Sequence, residues 1–548
     1  MIMVKFMNKK QIIALLVGII FITIAFFTYN VTITFDSSHY LWLTNLLSPN
    51  DTFSNWDVAR GCVFPLFIYI LNVLFGVNSN ALLVGMFFNY IVMLFICYLI
   101  YKEFFLGKFK KIYNILVLIL FFILIAFNPI IFGYYHTLLT EFISITLAVV
   151  ACYLSWKFIY INYDKDKMKF WIYTIVFAFL SIFAWNLKQP YVGTVIYPFI
   201  ISIIISIFKK IGIKNFLFKI LSIIISVMAI VISILVWNKI LVLNNVNQND
   251  ERDSSGFFAR QLIEGVSCYN REFHEDSYTK ESIMNNKRIS DEDKEKIYEI
   301  LDKKNTDYSN FIILRSGEPE KEKYDYILYI KNEKITTGEA IKFVFNTLIN
   351  RPISLLNSYI SNYLAIINIY KIGFEYDVNK LFIVNEFELL SSSENTAISY
   401  KIYNTNTSNI FPLSEEFSKY AESYSGENEG LIIFNFIMRK LQNIAIILFK
   451  VILIILPLEV ILVIILLIIS KVKKFFNNEG IKILELIFIL VLFSFLHICS
   501  HAVLGASIDR YAISAFVTNM IAIILLIHLI LKIKLYKTEN INNKRRKL

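Results

Sequence analysis

The stretch "CVFPLFIYILNVLFG", Cys62 to Gly76, decides how this chain is threaded. It is as apolar as a membrane crossing but shorter than the roughly twenty residues a crossing helix needs. If it crosses, the loop "KEFFLGKFKK" (102–111) lies outside, and most of the later basic loops flip with it. If it lies along the outer surface, the loops 102–111, 157–169, 209–219 and 471–482 and the tail "KTENINNKRRKL" all fall inside. Lysine and arginine concentrate on the cytoplasmic side of integral membrane proteins. The second threading satisfies every loop, so 62–76 is read as a helix in the membrane interface.

Outward from that stretch, the composition agrees. The chain has 548 residues, of which 57% are hydrophobic and 18% charged, whereas a soluble domain carries about 25% charged residues. Ten membrane spans are expected, at 11–29, 79–101, 112–132, 138–156, 170–187, 191–208, 219–243, 449–470, 481–499 and 514–533, with both termini cytoplasmic. "MIMVKFMNKK" followed by an apolar run resembles a signal peptide, but no small-residue cleavage site follows, so an uncleaved anchor is expected. The net charge of +11 sits in short loops and the tail. That placement fits a lipid bilayer as partner and argues against nucleic acid. The five cysteines, at 62, 97, 152, 268 and 499, form no close pair. Cys97 and Cys152 fall in apolar helices and read as small buried hydrophobes.

Three regions follow. Residues 1–243 form an N-terminal transmembrane module with a first outer loop (30–61) and the juxtamembrane helix 62–76. Residues 244–440 form a polar extracytoplasmic region, α-rich or mixed α/β, and 441–548 return to transmembrane helices and the basic tail. Within 244–440, "SDEDKEKIYEILDKK" reads as a helix with Ser290 as N-cap. "TGEAIKFVFNTLINRPISLLNSYISNYLAIINIY" reads as a helix pair whose second helix starts at Pro352. That pair is expected to pack down on the membrane face. No repeat and no glycine-rich phosphate loop is present.

The threading gathers ionisable residues at the outer ends of helices. They are Asp36 in "TFDSSHYLWLTNLL", Glu141, Lys188 next to Gln189, and Asp509–Arg510–Tyr511. Ionisable residues at membrane depth mark function, and less strongly so at the interface. Each has a plain structural alternative. Asp36 suits a helix N-cap, and Glu141 suits the positive end of a helix dipole. Lys188 suits a snorkelling lysine, and Asp509–Arg510 suits a local pair. Their placement on one face favours a common chamber. His39, His136, His497 and His501 fall on the same side, and with carboxylates they are candidates for a divalent metal. Their spacing matches no metal motif, so hydrogen-bonding histidines are the preferred reading. Glu459, beside Pro457, is a carboxylate well inside a span, facing either a chamber or a neighbouring helix.

These residues resemble a family. "FDSSHYLWLTN" is similar to the first-loop motif of the polyprenyl-phosphate-dependent membrane glycosyltransferases of GT-C fold, such as protein O-mannosyltransferases and aminoarabinose transferases. "RGCVFPLFIYILNVLFG" resembles their juxtamembrane helix, with Arg60, Pro65 and a closing Leu74-Phe75-Gly76. "LLTEFISITLAVV" places Glu141 at the second acidic position, and "NLKQPYVGTVIYPFI" places Lys188 at the basic position that holds a donor phosphate. "NRPISLLNSYI" is similar to an Asn-Pro helix of the outer region, and "SIDRYAISAF" to the closing Arg-Tyr motif, here Arg510-Tyr511. Many relatives have an Asp-Glu pair where this chain has Asp36-Ser37, and 244–440 has no clear counterpart.

The resemblance implies an all-α, GT-C-like bundle of about ten transmembrane helices, active on the extracytoplasmic side of a bacterial plasma membrane. It implies transfer of a sugar from a polyprenyl-phosphate donor to a hydroxyl of a glycan, lipid or protein, with inversion. Asp36 is the implied general base, with Glu141 as second carboxylate. Lys188, Gln189, Arg510, Tyr511, Arg60, His39 and Tyr40 are the implied donor-binding groups. No cofactor is required by this chemistry. Three rivals remain: a flippase or transporter of lipid-linked sugars, a polysaccharide polymerase or ligase, and a non-catalytic adhesin or receptor built on 244–440. A transporter is expected to show repeats and midplane polar residues.

Overall fold

The computed structural model describes residues 9–29, 31, 35–47, 53–57, 60–105, 117–119, 121–209, 212–246, 259, 261–263, 265–266, 295, 311–315, 326–330, 336–367, 432–473, 478–505 and 509–545. Ser290, Cys268 and the side chains of Asp36 and Asp509 lie outside the described residues.

The protein is a polytopic bundle of helices. Eight helices among the described residues are long and apolar enough to cross a membrane. They are α4 (Ser79–Phe104), α6 (Glu141–Ile159), α7 (Lys167–Leu187), α8 (Val192–Phe208), α9 (Ile213–Leu243), α12 (Ile432–Lys473), α13 (Asn478–Val503) and α14 (Ile513–Arg545). They match eight of the ten expected spans. The other two correspond to α1 (Lys9–Phe27), with an apolar stretch Val17–Phe27, and to the short Val117–Ala126 piece. A break follows the latter at Asn128, whose side chain accepts from the backbone N–H groups of Ile130 and Ile131 to start α5 (Pro129–Tyr134). Proline in the first turn and an asparagine cap are strong start signals, and they cut the 112–132 run into pieces.

The deciding stretch forms α3 (Val63–Phe75), 13 residues long. At about 1.5 Å per residue it falls short of a bilayer core. Gly76, at φ 85°, ends it in a backbone conformation that favours glycine. Asn78 then caps α4 by accepting from the Ala81 N–H at 2.9 Å. α3 therefore folds back beside α4, where a Cβ on Gly85 would stand 2.5 Å from the Leu71 side chain.

α6 and α14 are the most enclosed of these spans, each 78% buried along its apolar stretch, against 17% for α9. On α9 and α12, exposed Leu235, Val236, Ile447 and Leu458 cover the outside of the bundle. So large an apolar exterior suits acyl chains and not water. The ends of the bundle differ in chemistry. At one end Lys157 pairs with Glu103 at 3.1 Å and Lys209 with Glu485 at 2.9 Å. Tyr160 donates to Glu485 there, and the Trp156 indole donates to the Lys482 carbonyl at 3.0 Å. Lys219 is fully buried and donates to the Phe158 and Ile159 carbonyls at 2.9 and 3.0 Å. It thereby satisfies the orphan acceptors at the C-terminus of α6, where a cation is favoured by the helix dipole. The basic loops read as cytoplasmic thus share one end.

Between α9 and α12 lie α10 (Thr337–Asn350), α11 (Pro352–Ile366) and a two-stranded antiparallel hairpin, β1 (Phe311–Arg315) with β2 (Tyr326–Ile330). α10 opens with a capping box between Thr336 and Glu339, and α11 starts at Pro352 as expected. α11 packs onto the membrane helices, and α10 packs on α11. Asn362 of α11 donates to the Gly265 and Ala502 carbonyls at 2.9 and 3.0 Å, and Tyr363 donates to the Leu453 carbonyl at 3.0 Å.

Candidate functional site

Opposite the basic end, three helix termini meet. Glu141 is the first residue of α6, Lys188 follows the last residue of α7, and Arg510 and Tyr511 lie in the short turn Asp509–Ala512 that leads into α14. Glu141 is 1% exposed. Its Oε1 lies 3.4 Å from Arg510 Nε and 3.8 Å from Lys188 Nζ, so one buried carboxylate holds two cations. Lys188 does not snorkel: its ammonium points inward, 4.7 Å from the centre of the Tyr511 ring. Arg510 pairs with Glu141 across the bundle. Thr140 bridges Glu141 Oε2 and the Tyr191 hydroxyl, at 3.4 Å each.

Burial opposes the charge on Lys188, but Tyr511, Glu141 and Tyr40 outweigh it and raise the lysine pKa above its ordinary value. The ammonium is therefore a fixed cation. Tyr511 is held from both sides of the motif. Its ring stacks on His501 at 4.6 Å with 9° between planes, and its carbonyl lies 3.1 Å from His497 Nε2.

A second group adjoins the first. α2 (Phe35–Asn45) carries Asp36, Ser37, His39 and Tyr40. Ser37 donates to the Leu138 carbonyl at 2.7 Å, three residues before Glu141. This latch docks the first turn of α2, and with it the backbone of Asp36, on the approach to Glu141. The helix begins at Phe35, so Asp36 lies inside the first turn and not at the N-cap position. His39 faces Asp57 at 3.2 Å, and Asp57 lies 3.9 Å from Arg60. The Arg60 guanidinium donates to the Tyr40 hydroxyl at 3.1 Å. Gly61 presses on the end of α7, where a Cβ would stand 1.9 Å from the Asn186 carbonyl oxygen. Only glycine allows that approach, which seats Arg60 two residues from the segment bearing Lys188.

Of the sequence candidates, Glu141, Lys188, Arg510 and Tyr511 converge, with Tyr40 and Arg60 beside them. Gln189 is half-buried in the turn Gln189–Tyr191 next to Lys188. The four histidines do not form one set. His136 is locked in the core between the Phe132 and Phe26 carbonyls at 2.9 and 3.0 Å, and His39 faces Asp57. Only His497 and His501 are neighbours, with ring centres 4.7 Å apart. Among the described residues no three histidine, cysteine or carboxylate side chains are grouped for a metal. Glu459 faces a neighbouring helix, accepting from the Asn519 amide of α14 at 2.7 Å.

Asp57, Thr140, Tyr191 and Ser37 escaped the sequence reading. Asp57 had a signal, its spacing of three residues from Arg60; the others are ordinary polar residues until the fold brings them together. An apolar cavity of about 190 Å³ lies apart from this cluster, between α1, α4 and 118–126, lined by Ile22, Ile91, Cys97, Tyr101 and Phe121 among others. It presents no charged group. Comparison with protein-family models, curated proteins and solved structures finds no match to the chain.

Proposed function

We propose that the chain is a membrane glycosyltransferase of GT-C type, moving a sugar from a polyprenyl-phosphate donor to an acceptor hydroxyl. The supporting observation is the convergence of Glu141, Lys188, Arg510 and Tyr511 in one buried cluster, with the turn of α2 that bears Asp36 latched beside it. In this reading α1 and the 112–132 segment complete ten spans, the basic end is cytoplasmic, and the site opens on the extracytoplasmic side of the plasma membrane. Region 244–440 is extracytoplasmic.

The acceptor oxygen attacks the anomeric carbon as Asp36 takes its proton. The bond from that carbon to the phosphate oxygen breaks, and its electron pair leaves on the lipid phosphate. Negative charge therefore grows where Lys188 and Arg510 stand, and cations held in place before the reaction stabilise it most effectively. Arg510 offers a planar fork for two phosphoryl oxygens. Glu141 holds both cations in position, and Arg60 with Tyr40 supports the wall on the α2 side. One displacement inverts the anomeric centre.

Envelope glycan mass spectrometry tests this in cells lacking the gene, complemented with wild type or Asp36→Asn. One sugar is expected to vanish, return with wild type and stay missing with a normally expressed Asp36→Asn chain. Restoration by Asp36→Asn would remove the base assignment and move the transporter reading forward.

A further inference from the structure

The helix pair α10–α11 has a surface that neither its own core nor the candidate site explains. Each helix divides lengthwise into three sectors. In α10, Ala340, Phe343 and Thr347 face the interior, and Glu339, Lys342, Asn346 and Asn350 form a polar stripe. Between them run Ile341, Phe345, Leu348 and Ile349, all more than half exposed. α11 repeats the pattern. Leu355, Ser358, Asn362 and Ile366 face inward, and Ser354, Asn357 and Ser361 form the polar stripe. Ile353, Leu356 and Ile360 form the third sector, 74, 58 and 48% exposed. From Asn346 to Ile366 the only charged residue is Arg351, at the joint.

An apolar sector beside a polar one is the pattern of a helix lying in a membrane interface. The attachments of α11 set its depth. Asn362 bonds to Ala502, in the last turn of the spanning helix α13, and Tyr363 bonds to Leu453 of α12. α11 thus sits at the level where the spanning helix α13 ends and against α12, whose Val451 and Ile454 are exposed. A second small core, of Ala259, Ile263, Val266, Ala340, Phe343 and Leu355, holds the pair from the interior side. We infer that α10 and α11 lie in the plane of the interface with their third sectors buried among lipid acyl chains. α11 also packs against the turn bearing Arg510 and Tyr511. The inference stands independently of the transferase reading.

The test uses the unmodified full chain in nanodiscs whose phospholipid carries a photoreactive diazirine in the acyl chain. After irradiation, adducts are mapped by mass spectrometry. Adducts are expected at Phe345, Leu348–Ile349, Ile353, Leu356 and Ile360, together with the outer face of α12, which serves as the internal control. The stripe of Asn346, Asn350, Asn357 and Ser361 is expected to stay unlabelled. Labelling of α12 with none in 337–366 would overturn the inference. So would a mass for the nanodisc complex that counts two chains, with Phe345, Ile349 and Ile353 unlabelled, since a second copy would then cover the face.

Discussion

Glu141 is the residue on which the candidate site turns. Two cations lean on its carboxylate at 3.4 and 3.8 Å in a place that water scarcely reaches. Removing one partner of such a set leaves charge buried without compensation, which costs about 3–5 kcal/mol. Glu141→Gln is therefore expected to lower thermal stability in detergent markedly, read by tryptophan fluorescence. Adding Lys188→Met to it is expected to recover part of the loss, because the stranded ammonium is gone. The coupling between the two changes should reach about 0.5–3 kcal/mol. Strict additivity would show that Glu141 and Lys188 do not interact. The pair's chemistry was legible only in part beforehand. The sequence supplies the residue types and their common side; it does not reveal that Lys188 turns inward or that Arg510 reaches Glu141 at the start of another helix.

Short elements, more than long ones, build the site. α2 and α3 are 11 and 13 residues long, shorter than the roughly twenty residues a crossing helix needs. Their contacts decide where Asp36, Tyr40 and Arg60 stand. The joint between them rests on Gly61, packed on the Asn186 carbonyl. Gly61→Ala is expected to force that joint open, at the 1–3 kcal/mol typical of overpacking, roughly. Gly338→Ala is the control, since its Cβ would meet nothing within 4 Å in the first turn of α10. Alanine there is expected to be neutral or mildly stabilising, by about 0.5–1 kcal/mol at most. Equal melting temperatures for the two variants would dismiss Gly61 as a packing site. Nothing in "RGCVFP" distinguishes this glycine from a flexible turn, because the clash arises from a residue 125 positions away.

At the scale of the whole molecule, the bundle has a basic end and a site end. Lys157, Lys209, Lys214, Lys219 and Lys482 lie at one, while Glu141, Lys188 and Arg510 lie at the other. In the proposed orientation, green-fluorescent reporters fused after Tyr160, Lys209 or Lys473 are expected to fluoresce in the cytoplasm. Phosphatase reporters fused after Val246 or Leu504 are expected to be active outside. The reverse pattern would place the site in the cytoplasm and end the polyprenyl-phosphate reading, whose rationale is a donor usable where nucleotide sugars are absent.

The sequence alone determined that the chain lives in a membrane, where most of its spans fall, and that the apolar run Cys62–Gly76 is shorter than a crossing helix. Apolar run length and the placement of lysine and arginine are local and additive, so they can be read without a fold. The same holds for the start of α11 at Pro352. The tertiary structure decided which polar groups meet. It set Asp57 against His39, buried Lys219 under the end of α6, turned Glu459 toward Asn519 and scattered the four histidines. Those outcomes depend on helix rotation and on contacts between distant segments. A buried polar group must find a partner wherever the packing puts one, and the one-dimensional pattern carries no record of that choice.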